Sequence, residues 1–174
     1  MTGEFDTLKD LLEDISSSLL ENGFDALVLV NGHGGNTALV DASVTTVGRA
    51  HPEAEILGLT YFELASPFID DVRESDPGGM AHGGEFETSL MLHLRPELVE
   101  DDKPADYWDE QYDLGPKDLL EGGPLSVYRA FDEYSESGAI GDPSLATAEK
   151  GAVIFDGLRD ELASLLTDVH DANA

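Results

Sequence analysis

Apolar positions recur along this chain with two distinct periods, and the places where one gives way to the other mark its elements. Thr7 followed by Asp10 reads as a helix cap. Leu8, Leu11, Leu12, Ile15, Leu19 and Leu20 then return at helical spacing, and Gly23 supplies the stop. Residues 24–30 form a short run rich in valine and leucine with no alternation, which predicts a strand covered on both faces, as in a parallel sheet. Asn36 is placed to cap a helix through about residue 49, with Leu39, Val40, Val44 and Val47 inward. A second strand is predicted over residues 55–62.

The order helix, strand, helix, strand requires crossover connections, hence an α/β layered fold. Residues 63–81, with Pro67, Pro77, Gly78 and Gly79, read as a loop. A helix over residues 83–94 is stopped by Pro96. Residues 100–142 are acidic and broken by Pro104, Pro116 and Pro124, with aromatics at Tyr107, Trp108, Tyr112, Tyr128, Phe131 and Tyr134. They read as a long excursion with little regular structure, either a rim or subunit contact or a solvated surface loop. A closing helix over residues 144–169 carries Ala152, Val153, Phe155, Leu158, Leu162, Leu165 and Leu166. No repeat or linker divides the 174 residues, so the pattern predicts one domain, 1–174. Only two strands are convincing, which is thin for a layered sheet.

Charge changes this picture more than composition does. Nine Lys plus Arg stand against 37 Asp plus Glu, a formal net charge of −28. Such a field repels nucleic acid and anionic lipid, which excludes both as partners. Carboxylates spread through helices and loops, with lysine only at positions 9, 103, 117 and 150, point to a protein adapted to molar salt. There the screening length falls to about 3 Å and self-repulsion is largely removed. The expected home is a halophilic cytoplasm. Cysteine is absent, which rules out disulfides and thiolate metal sites. No apolar stretch approaches the ~20 residues of a membrane helix, and no export signal is visible.

Two glycine-flanked histidines carry the candidate chemistry. The turn Asn31-Gly32-His33-Gly34-Gly35-Asn36 follows a predicted parallel strand, where open α/β sheets bind their ligands. Its glycines permit close approach of a ligand, and the next helix offers its positive end. Four readings stay open for it: a metal-binding histidine, a dinucleotide loop, an esterase oxyanion loop, or a plain turn. The dinucleotide pattern lacks its third glycine, since position 37 is Thr37, although Glu63 stands where a ribose-binding acid belongs. The esterase reading has no G-x-S-x-G elbow to accompany it.

In the second cluster, His82 and Glu85 lie three apart at a helix start and face one direction. An imidazole and a carboxylate in one cleft suit zinc or manganese; alternatively, the imidazole shuttles protons beside a metal. Glu87 lies on another face and suits the helix N-terminus. His51, His93 and His170 read as structural or surface residues, and the pairs Asp70-Asp71 and Asp101-Asp102 as solvated acids.

"VLVNGHGGN" and "HGGEFETSLML" together resemble the creatininase family of metal-dependent amidohydrolases, and "SGAIGDPSLATAEKG" is similar to its C-terminal signature. The similarity spans nearly all of residues 7–165. It implies a three-layer α/β/α sandwich with a mostly parallel sheet, a centre of two divalent ions (Zn, Mn or Fe) and a hexameric homo-oligomer. By motif match His33 becomes a metal ligand and His82 the residue that protonates the leaving nitrogen. Gly34, Gly35 and Asn36 line the substrate. The glutamate that ligates metal two residues after the first histidine in creatininase is Gly35 here, and Glu85 is expected to substitute. The aromatic that contacts creatinine is replaced by Gly34, so a formamide or other small amide is the expected substrate. The family opens with a strand bearing a glutamate and a histidine one residue apart, then an aspartate that bridges the metals. "MTGEFDTL" falls after that region, so the expectation is a fragment, a truncated product or a partner that supplies the rest. The alternative expectation is an inactive assembly or binding subunit.

Overall fold

The computed structural model describes residues 4–108 and 112–173. The chain forms two compact units, residues 1–64 with 161–174, and residues 65–160. The first contains α1 (Phe5–Glu21), β1 (Ala26–Asn31), α2 (Thr37–Ala50) and β2 (Glu55–Thr60). The second contains α3 (Glu85–Leu94), the single turn α4 (Phe131–Tyr134) and the first half of α5 (Ala148–Ala172), whose end returns to the first unit.

In the first unit β1 and β2 pair in parallel, with Ala26 opposite Glu55 and Asn31 opposite Thr60. α2 is the crossover between them and packs on β2, while α1 packs on α2. Leu20, Leu39, Val40 and Val47 form the core here, and Ser16 and Ser43 are buried with them. Gly58 explains how closely α2 lies on β2: a Cβ there would stand 2.7 Å from both Val40 Cγ1 and Val44 Cγ2. The Gly23 stop is real, with φ at +95°, in the left-handed region where a side chain is strained.

Three expectations shift. α1 begins at Phe5, two residues before the expected Thr7 cap, and no side chain caps it. Asn36 likewise makes no side-chain cap for α2, because a short tight turn over Gly34–Asn36 precedes the helix. Finally, β1 is not covered on both faces: only Asn31 is buried, and Val30 is 52% exposed. Its run of apolar residues lines a cavity of about 380 Å³ with Leu8, Leu11 and Leu12 of α1.

The second unit is built around Met80, Phe86 and Ile154, each fully buried. Among the described residues of 100–142 there is little regular structure beyond α4 and an antiparallel bridge between Asp106 and Gly141. They are nevertheless tied down. The Asp106 carboxylate accepts the Ser135 hydroxyl at 2.8 Å and the Glu136 N–H at 3.2 Å. Among the described residues no helix is long and apolar enough to cross a membrane.

Candidate functional site

In the first unit, β1 delivers its last residue, Asn31, into the turn that carries His33. Asn31 is buried, and its amide brackets the histidine backbone: Oδ1 accepts the His33 N–H at 3.1 Å, while Nδ2 donates to the His33 carbonyl at 2.9 Å. Nδ2 also donates to Thr60 Oγ1 at 3.0 Å, and Thr60 shares a hydroxyl contact of 3.0 Å with Thr37. The turn is thus locked to β2 and to the first residue of α2. The exposed His33 ring folds back over its own turn, and Nδ1 accepts the Gly35 N–H at 3.1 Å. Glycine at 35 leaves room for this, since a Cβ there would sit 3.1 Å from Nδ1, a tight contact. With Nδ1 accepting, the neutral ring carries its proton on Nε2.

In the second unit, residues 79–85 coil into a compact turn with His82 on its outside. The Gly79 carbonyl accepts N–H groups from Glu85 at 3.0 Å and Asp142 at 2.9 Å. Position 84 tolerates only glycine, because a Cβ would lie 2.3 Å from the Gly79 oxygen. The His82 carbonyl accepts the Ile140 N–H at 2.7 Å, and its exposed ring stands edge-on to Phe131 with centroids 5.0 Å apart. Glu87 accepts the Gly83 N–H at 2.7 Å, the helix-start role its position suggested.

Glu85 has surroundings unlike those of His82: fully buried, it holds Lys150 by an ion pair and accepts N–H groups from Glu74 at 3.1 Å and Ser75 at 2.9 Å. Burial alone would push this carboxyl up. The Lys150 ammonium and the hydrogen bonds from Ser75 and Glu74 outweigh it and hold the group below the usual carboxylate range.

The family model for creatininase, described as creatinine amidohydrolase, matches residues 1–166. The chain belongs to the creatininase family. It is 36% identical over 141 residues to a mycofactocin precursor peptide peptidase of Mycobacterium ulcerans, covering 80% of this chain and 47% of that protein. It is 29% identical over 162 residues to the creatinine amidohydrolase of Pseudomonas putida, covering 86% of this chain and 58% of that protein. The chain therefore spans about half the length of these relatives. Its fold is that of solved creatininases. A Bacteroides fragilis structure described as a creatinine amidohydrolase superposes with a TM-score of 0.79 at 30% identity, covering 96% of this chain and 62% of that one. Creatininases solved in a Zn-Zn type and an Mn form superpose at 0.75 with 25% identity, over 97% of this chain and 65% of theirs.

Those two structures bring a divalent cation to the creatininase fold, and the donors of this chain do not fit one as they stand. Among the described residues no three His, Asp or Glu side chains gather into a holder. His33 spends its Nδ1 lone pair on Gly35, and Glu85 spends its oxygens on Lys150 and two backbone N–H groups. A catalytic zinc usually takes three protein ligands.

In the sequence Asn31 stands out only as the start of the turn, Lys150 only as a scarce lysine, and Thr60 not at all. Asn31 carried a signal, being a buried-strand residue able to donate and accept at once. Lys150 carried a weaker one, as one of only four lysines in so acidic a chain.

Proposed function

We propose that this creatininase-family chain belongs to a divalent-metal-dependent amidohydrolase acting on a small formamide-type or other non-peptide C–N bond, and not on creatinine. Residues 1–174 are taken as one family domain. The observation that carries the reading is the His82 turn: an exposed imidazole on a loop braced from both ends, within the family's second motif. Hydrolysis adds water across the amide, breaks the C–N bond and leaves the nitrogen needing a proton. His82 supplies that proton, since an imidazole exchanges protons near neutral pH. His33 would serve as a metal ligand if its exposed ring swung off the Gly35 N–H, and a divalent ion held there would supply activated water. Gly34, Gly35 and Asn36 border the substrate and leave it room, with no aromatic at position 34 to select creatinine. The two relatives described above are named for a precursor peptide and for creatinine.

Exposed apolar residues on the 100–142 segment, Leu114 at 63% and Tyr128 at 88%, support its use as a contact between copies in a homo-oligomer, a hexamer by resemblance. The charge of −28 supports a salt-rich cytoplasm. The test compares His33→Ala and His82→Ala for bound Zn or Mn and for hydrolysis of small amides. His33→Ala should lose metal; His82→Ala should keep metal and lose turnover by at least about a hundredfold. Metal unchanged in His33→Ala rejects the ligand role.

A second reading is an inactive family member that acts in assembly or binding. It is favoured by the engaged donors of His33 and Glu85. This reading expects substoichiometric metal and no hydrolysis from the 174-residue chain.

A further inference from the structure

We infer that Glu85 is a positioning residue and not a cation ligand: its carboxylate closes residues 74–85 into a ring that fixes the turn carrying His82. This rests on the reading of His82 as the proton-transfer residue.

Glu85 Oε1 and Oε2 receive the Glu74 N–H at 3.1 and 3.3 Å, and Oε2 receives the Ser75 N–H at 2.9 Å. One side chain thereby joins two points ten and eleven positions apart, and His82 lies on the segment between them. Inside this ring the Gly79 carbonyl takes the Glu85 N–H at 3.0 Å, so side chain and backbone of the same residue close it twice. Lys150 stands on the outside of the closure. Its ammonium binds Glu85, the Glu74 carboxylate at 3.1 Å and the Leu145 carbonyl at 2.8 Å, so the first turn of α5 is fastened to the same point.

Every partner of the Glu85 carboxylate is a proton donor, and the set is the kind that stabilises a buried anion without a metal. A cation on these oxygens would sit beside the ammonium of Lys150, whose side chain is only 12% exposed. The two positive charges would compete for one carboxylate in a poorly screened place. A ligand role would also release the Glu74 and Ser75 N–H groups and open the ring. A clamp needs the carboxylate where it is. His82 feels it through the peptide chain, since the turn at 81–84 is held by Glu85 on one side and by Ile140 on the other.

The test uses the full chain in concentrated KCl, as wild type, Glu85→Gln and the double change Glu85→Met/Lys150→Met. Amide exchange over residues 73–79 is read by mass spectrometry, the His82 ring signal by carbon-13 NMR, assigned with His82→Asn, and Mn²⁺ affinity by titration. Glu85→Gln should speed exchange at 74 and 75 about tenfold and shift the His82 signal, with Mn²⁺ affinity unchanged within about twofold. The double change should fold, speed the same amides and shift the same signal. Mn²⁺ affinity lowered tenfold or more, or amides and ring signal that do not move in either variant, would overturn the inference. Hydrolysis that survives His82→Asn would end the proposed role of His82 and leave the clamp standing.

Discussion

Arg73 and Asp118 stand forty-five positions apart and meet in a two-pronged pair, Nη1 to Oδ2 at 2.9 Å and Nη2 to Oδ1 at 3.3 Å. The Asp118 side chain is wholly buried and that of Arg73 is 12% exposed. The same carboxylate also accepts N–H groups from Gly78 at 2.9 Å and from Leu120 and Glu121 at 3.0 Å. One acid in the irregular 100–142 segment therefore anchors that segment to the loop before the His82 turn. Removing Arg73 leaves a buried charge without its counter-ion, which costs about 3–5 kcal/mol. Arg73→Met should lose that much in denaturant unfolding, and Arg73→Met/Asp118→Leu should lose less than Arg73→Met and Asp118→Leu together. A double variant as weak as the sum of the singles would show that the pair does not act as a unit.

Acid should unfold the second unit through two carboxyls. Burial pushes Asp118 up, but Arg73 and the N–H groups of Leu120, Gly78 and Glu121 outweigh it, and its pKa is lowered, as is that of Glu85. A depressed folded pKa contributes stability that is fully present above the unfolded value, about 4 for these acids. That contribution drains away as pH falls through the lower folded values. Circular dichroism followed from pH 7 downward, at constant high salt, should therefore stay flat to about pH 4 and then fall. Asp118→Asn should flatten the acid limb. A transition centred near neutrality would assign acid sensitivity to histidines instead.

α3 and α5 approach each other at a glycine. A Cβ on Gly151 would lie 1.9 Å from the Ser89 carbonyl oxygen and 2.7 Å from His93 Cβ, neither of which is the end of a flexible chain. Gly151→Ala should cost at least about 1–3 kcal/mol through overpacking. Gly122 offers the matched control, with nothing within 4 Å of the place a Cβ would take and no positive φ. Gly122→Ala should be neutral or stabilising by up to about 1 kcal/mol. Equal thermal midpoints for the two variants would contradict the close helix contact.

Much of this architecture was legible because it rests on period. The repeat of Leu8 to Leu20, the unbroken run before Asn31 and the Pro96 stop each act over a few neighbouring residues, and the helices and both strands lie within a few residues of their expected bounds. The partners of acids were not legible. Glu85 finds Lys150 sixty-five positions later, and Asp118, in a stretch that reads as either a contact or a solvated loop, has a fully buried side chain. Spacing within a helix shows which way a side chain points but not what meets it there. His33 shows the same limit at short range: its glycines suggested access for a ligand, and one of them supplies the N–H that the ring accepts.

Salt should stabilise this chain, against the usual expectation for ion-paired proteins. With a charge of −28, repulsion among exposed carboxylates acts over about 30 Å in 0.01 M salt and about 3 Å in 1 M. Among the described residues, the two ion pairs that matter most here, Arg73–Asp118 and Lys150–Glu85, are buried from the screening ions. Raising KCl therefore removes mostly repulsion. The thermal midpoint should climb steadily between dilute buffer and molar KCl, and the protein should lose its circular dichroism on dialysis into dilute buffer and regain it when salt returns. NaCl should act nearly as KCl does, since screening depends on ionic strength. A midpoint that stays level, or falls as salt is added, would mean that the carboxylates are tolerated for a reason other than a saline interior.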